Sequence, residues 1–188
     1  MRYHELTEIS NLKSHDYDDK EIRDRIASMT RQGGWTTVGK FGDVFVRQLE
    51  WGNEIDYRVV KDKVTIGIAN TVKATYSGVP GLVVREIGVI WEEQYAGYGK
   101  LLYNVMLDQG HVLISGGTQT PDGKKMWSWL LKQPNVHCYM TNFQWEDDDY
   151  FPFEPIINGK MKRDPWKHDD ARLIASRQPI TQPPKPQS

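Results

Sequence analysis

Gln94, Gly97 and Gly99 fall at the spacing Q-x-x-G-x-G in Gln94-Tyr95-Ala96-Gly97-Tyr98-Gly99, between an apolar run ending at Trp91 and a helix-patterned stretch from about Lys100. A buried strand that turns through glycines into a helix leaves the first backbone N–H groups of that helix without internal partners. An anion fits such a place. Glycine removes the side chains that would block a phosphate, and the helix dipole adds partial positive charge at the same point. Counting excludes two common nucleotide loops. A dinucleotide fingerprint needs a third glycine where Leu102 stands, and a Walker loop needs four spacers and a hydroxyl residue, whereas Gly117 to Gly123 has five and Lys124 precedes Lys125.

Glu86 is the acid inside the apolar run Leu82–Trp91. Burial disfavours the charged form of a carboxyl, which suits a general base. A second role fits equally well: strand alternation sends Arg85 and Glu86 to opposite faces, where either serves as a cross-strand ion-pair member. Glu92 and Glu93 read as solvated loop charges that would favour a cationic substrate beside the loop. The histidines at 4, 15, 111, 137 and 168 show no metal-ligand spacing. Ser115 lacks a nucleophile-elbow context, and Cys138, in a predicted strand, reads as a small core residue. Trp145 and Trp166, in acidic and basic flanks, are candidates for a partner surface.

These residues need a scaffold, and hydrophobic spacing supplies one. Ile22, Ile26 and Met29 mark one face of a helix over Asp18 to Arg31, which Gly33-Gly34 stops. From Trp35 to Trp91 the runs VFVRQLEW, EIDYRVV, KVTIGIAN and LVVREIGVIW predict three or four antiparallel strands, the last of them central and covered on both faces. Gly99 to Gln109 returns to helical spacing, HVLISGG reads as a strand, and Pro121-Asp122-Gly123 opens a further helix carrying Met126, Trp127, Leu130 and Leu131 inward. Val136–Thr141 reads as a last strand. The fold class is mixed α/β (α+β), with a central, mostly antiparallel sheet flanked by helices.

The chain has 188 residues, 24 Lys+Arg against 25 Asp+Glu, and 38% hydrophobic residues. That length supports one core. The division expected is a domain over 1–141 and a charged, proline-rich C-terminal extension over 142–188, partly disordered because QPITQPPKPQS has too little apolar content to fold alone. The acidic run 146–149 is placed to dock on the basic run 160–177 of the same chain or of another copy. The near-zero net charge argues against nucleic acid as a partner. Neither a bilayer-spanning run nor a hydrophobic leader is visible, and the lone Cys138 forms no internal disulfide, so the expectation is a cytoplasmic protein with no membrane partner.

The loop at 94–99, in its strand-loop-helix context, resembles the pyrophosphate loop of the GNAT superfamily of N-acyltransferases, and the order of elements over roughly Asp18–Thr141 is similar to that family's. The resemblance implies acetyl-CoA (coenzyme A) as cofactor, held through Val89, Gln94, Tyr95, Ala96, Gly97, Tyr98, Gly99 and Lys100. It further implies transfer of an acetyl group to an unidentified amine acceptor, with Glu86 as the candidate catalytic base. Family members often carry an acidic tyrosine in a pattern like N-x-x-A-x-x-x-Y, and here Thr120, Gly123 and Trp127 occupy those places. An indole N–H cannot replace a phenol as proton donor, which leaves Tyr103, Tyr139 or solvent for that task. The alternative reading is therefore a catalytically inactive GNAT-fold interaction or structural protein. The Gly-Lys-x-x-Trp spacing at 123–127 is similar to GNAT-like proteins of tailed bacteriophages, which would place this one in a host cytoplasm. The C-terminal extension suggests a homo-oligomer or a protein partner.

Overall fold

The computed structural model of the chain describes residues 19–76, 78–116, 120–142, 154–157, 159–161, 164–167 and 171–181. Helix α1 (Asp19–Thr30) is followed by β1 (Thr36–Phe41), β2 (Val44–Trp51), β3 (Glu54–Lys61), β4 (Val64–Tyr76) and β5 (Val79–Val89). A 3-10 helix (Trp91–Ala96) leads into α2 (Tyr98–Asp108), then β6 (Leu113–Ile114), α3 (Pro121–Leu130), β7 (His137–Asn142), β8 (Glu154–Ile156) and β9 (Ala171–Ser176). The strands form one sheet in the order β1-β2-β3-β4-β5-β6-β9-β7-β8. Only β5 and β6 run parallel; every other pair is antiparallel. This is the mixed α/β arrangement with a mostly antiparallel central sheet that the sequence predicts.

Tight hairpins set the register of the first five strands. Gly42 and Gly52 take positive φ in the β1–β2 and β2–β3 turns, the conformation that suits the twist of a short hairpin. The β3–β4 turn reaches the same conformation without glycine, at Asp62 (φ 50°) and Lys63 (φ 66°). Register then defines two faces. Gln48, Tyr57, Ala69 and Ile87 form one row across β2 to β5, and α2 lies over it, with Gln109 Nε2 donating to Gln48 Oε1 at 2.6 Å. α1 lies over the opposite face, beside Phe45, Arg47, Arg58 and Val60.

The helices form where their apolar spacing meets the sheet. α2 buries Leu102, Tyr103, Val105, Met106 and Leu107. α3 starts at Thr120, whose side chain accepts from the Gly123 N–H at 3.2 Å, with Pro121 in the first turn, and buries Gly123, Trp127 and Leu130. β5 is central, with Leu82, Val83, Val84, Glu86 and Ile87 all buried. No helix among the described residues is long and apolar enough to cross a membrane.

Three regions differ from the sequence reading. Thr36–Phe41 adds a fifth strand ahead of β2, on the sheet edge, where its polar pattern hides it. The HVLISGG strand shortens to Leu113–Ile114, after which Ser115 turns its N–H to the Leu173 carbonyl at 2.8 Å. Residues 171–176, assigned from sequence to the extension, form β9 between β6 and β7; Leu173, Ile174 and Ala175 are buried there. The acidic run 146–149 and Trp145 lie outside the described residues, so its docking on 160–177 is not visible.

Candidate functional site

The parallel β5–β6 pair is short. Leu82 and Val83 face Leu113 and Ile114, and then β5 runs on to Val89 while β6 ends. Beyond Val83 no described strand lies beside that edge of β5, so the sheet opens into a wedge at the end from which α2 departs. The 3-10 helix after β5 ends at Gly97, whose φ of 85° and ψ of 14° place it in the left-handed region. The same residue begins α2: the Leu101 N–H bonds to the Gly97 carbonyl at 3.0 Å, and no side chain caps the helix. The amides of Tyr98, Gly99 and Lys100 thus precede the first intrahelical bond, where an acceptor from outside the helix satisfies them.

The two glycines of the motif do different work. A Cβ on Gly97 would have no atom within 4 Å, so open space lies in front of it and its left-handed φ is what calls for glycine. A Cβ on Gly99 would meet Met126 Cε at 3.2 Å, so here glycine allows close packing of α2 on α3, in addition to the approach of an anion expected from sequence. Ala96 and Gly97 are exposed, while Val89 and Tyr98 are half-buried. Of Gln94 and Tyr95 the backbone within the 3-10 helix is described. Lys100 is exposed, with its ammonium 5.4 Å from the Trp129 ring centroid.

Glu86 sits 4% exposed on β5, opposite Asn70 of β4. The register slips there: Asn70 pairs with Glu86 and Thr71 with Val84, which leaves Arg85 as the extra residue of a β-bulge. Arg85 pairs with Glu54 at 3.0 Å, and the buried Glu86 beside it has a partner of its own. Asp56, Asn70 and Glu86 form a row across β3, β4 and β5, tied by a 2.6 Å bond from Asn70 Nδ2 to Asp56 Oδ1. Trp51 Nε1 donates to the other Asp56 oxygen at 3.0 Å. This polar strip was not seen in the sequence, although the alternation of EIDYRVV and KVTIGIAN contains it once the hairpin register is fixed.

Glu92 and Glu93 are not free loop charges. Glu92 pairs with Arg23 at 2.7 Å and Glu93 with Lys61 at 2.9 Å, which removes the reason to expect a cationic substrate from them. Trp127 is fully buried and meets Tyr103 edge-on, with ring centroids 6.1 Å apart, so it packs the α2–α3 contact. The Tyr139 hydroxyl accepts from the Ile180 N–H at 2.9 Å and anchors the segment after β9. Burial pushes the Cys138 thiol up to about 12, and its sulfur lies against the Leu130 carbonyl, which makes it a core residue. Ser115 Oγ accepts from the Leu173 N–H at 2.9 Å and stitches β6 to β9. Trp166 is half-buried against the core with Lys124 over its ring, so part of the side chain expected at a partner surface packs inward.

No family model and no curated protein sequence matches this chain. Among solved structures it is similar to the ribosomal-protein-S18-alanine N-acetyltransferase of Escherichia coli, at 12% identity and TM-score 0.38, over 74% of this chain and 77% of that one. It is also similar to a protein of Bacteroides thetaiotaomicron assigned to the GNAT acetyltransferase family, at 11% identity and TM-score 0.39, over 84% of this chain and 81% of that one.

Proposed function

We propose that this chain is a GNAT-like N-acyltransferase that uses acetyl-CoA and acetylates an amine. The observation that carries the reading is the junction at Gly97, a left-handed residue with open space before it, from which α2 presents the amides of Tyr98, Gly99 and Lys100. A pyrophosphate fits this donor set, since amides aligned with a helix dipole accept dispersed negative charge without a side chain. Val89 and the loop 94–97 flank that position along the open edge of β5. Bound there, acetyl-CoA supplies an activated acyl group as a thioester whose leaving group is a thiolate.

Glu86 acts as base in this reading. Its carboxylate takes the proton that the amine nitrogen loses on forming the amide, directly or through a water, and solvent protonates the departing sulfur. Asn70 and the bulge at Arg85 position Glu86 rather than react. The second reading, a GNAT-fold interaction protein without turnover, is favoured by Trp127, which packs where the family pattern places a phenol. Acetyl-CoA turnover that disappears in Glu86→Gln contradicts that second reading.

The experiment is a calorimetric titration of the full chain with acetyl-CoA, repeated with Gly97→Glu. The substitution costs about 1–2 kcal/mol for a left-handed L-residue, within the roughly 5–15 kcal/mol of a folded domain, so the variant stays folded. Binding that the variant loses supports the reading; equal binding by both proteins, or none by the parent, overturns it.

A further inference from the structure

We propose that the cavity between α1 and the first four strands is a binding site for a phosphate-bearing ligand, held by Arg47 and Arg58. The cavity has a volume of about 740 Å³. Its polar lining is Arg23, Arg47, Arg58 and Lys63 with the hydroxyls of Thr37 and Thr65, and no acidic residue belongs to it among the described residues. Arg47 and Arg58 stand directly opposite each other on β2 and β3, and Thr37 of β1 continues the row. Like charges at directly opposed positions destabilise a sheet, and an anion bound between them would offset that cost.

The neighbouring acids are committed elsewhere. Asp56 lies two residues from Arg58 on the same face of β3, but its oxygens accept from Trp51 and Asn70, and it forms no ion pair with Arg58 among the described residues. Glu92 holds Arg23. Among the described residues Arg47 has no ion pair, and the Arg58 guanidinium stacks on the Trp35 ring at 4.4 Å from its centroid. The Nε–H groups of both arginines are buried and meet no acceptor among the described residues, so an incoming oxyanion would satisfy donors that have given up hydration. Burial, followed by the nearness of Arg47, lowers the proton affinity of Arg58, which agrees with two cations sharing one desolvated place.

Phosphate matches this donor set better than carboxylate does. Two guanidinium forks, an ammonium and two hydroxyls outnumber the lone pairs of two oxygens, and tetrahedral oxyanions accept from several directions. Ile26, Phe45 and Ile90 supply an apolar wall for the organic part of a phosphate monoester. This site is built of side chains on α1, on β1–β4 with the β3–β4 turn, and on Ile90 after β5, and it does not depend on the acyl-transfer reading.

The test is calorimetric titration of the full chain with inorganic phosphate, paired with thermal unfolding in phosphate, acetate and chloride at equal ionic strength. Phosphate is expected to bind and raise the melting temperature above that in acetate or chloride. Arg47→Gln is expected to weaken phosphate about ten- to a hundredfold, the loss of one charge-assisted contact, while melting no lower than the parent in chloride. Gly97→Glu keeps the phosphate response, which separates this cavity from the α2 N-terminus. If Arg47→Gln unfolds, Arg58→Lys carries the test, since it retains the charge and loses the fork. An absent phosphate response, an equal response to acetate, or a response unchanged in these arginine variants overturns the proposal.

Discussion

The two regions proposed to receive an anion are built in opposite ways. At the start of α2 the donors are backbone amides, the determining residue is Gly97, and the space in front is open because nothing replaces its missing side chain. Under α1 the donors are guanidinium groups on paired strands, and the space is a cavity walled by side chains. Backbone donors cost little to keep when empty, since water reaches them at an exposed helix end. Opposed arginines whose buried Nε groups meet no acceptor among the described residues cost more to keep. A helix end of the first kind is a common product of any strand-to-helix turn, whereas two arginines opposed on neighbouring strands are not.

The largest expected effect is a double dissociation. Gly97→Glu abolishes acetyl-CoA binding and leaves the phosphate response, whereas Arg47→Gln weakens phosphate about ten- to a hundredfold and leaves acetyl-CoA binding; calorimetry on both variants with both ligands checks it. One variant that removed both responses would merge the two regions into a single site. Next in size is Glu86→Gln, which is expected to lower kcat for amine acetylation by about 10²–10⁴-fold, the span of general base catalysis, with acetyl-CoA affinity unchanged. Loss of affinity in place of rate would move Glu86 from chemistry to binding.

The motif was legible because its chemistry is local. Gln94 to Gly99, the apolar run before it and the helix after it all lie within one stretch, and VFVRQLEW coincides with β2. What escaped depends on residues far apart in the chain. β9 is a short run between charged and proline-rich segments that becomes interior only because β6 and β7 accept it on both edges. β1 is half polar because it closes an edge. The bulge at Arg85 cannot be read from alternation, which treats every strand as regular. Arg47 opposite Arg58 follows from the two-residue turn at Gly52-Asn53, a register that the sequence contains but that has meaning only when both strands are placed.

Two smaller effects sharpen the contrast further. Trp127→Phe removes volume from the buried α2–α3 contact and is expected to cost about 2 kcal/mol in urea unfolding, with turnover kept within about twofold. A collapse of activity without loss of stability would restore a chemical role to the indole. Lys63→Gly relieves a left-handed lysine in the β3–β4 turn at the rim of the cavity, and is expected to stabilise by about 0.5–1 kcal/mol after the entropy lost to glycine. Destabilisation would mean that the Lys63 side chain is needed where it stands.

The central claim is that the amides at the start of α2 hold the cofactor's pyrophosphate. Titrating the isotope-labelled full chain with coenzyme A while following backbone amide resonances tests it most directly. Tyr98, Gly99 and Lys100 are expected to shift first and furthest, with Arg47 and Arg58 little moved. Shifts centred on Arg47 and Arg58, or none at α2 with the ligand in large excess, would contradict it.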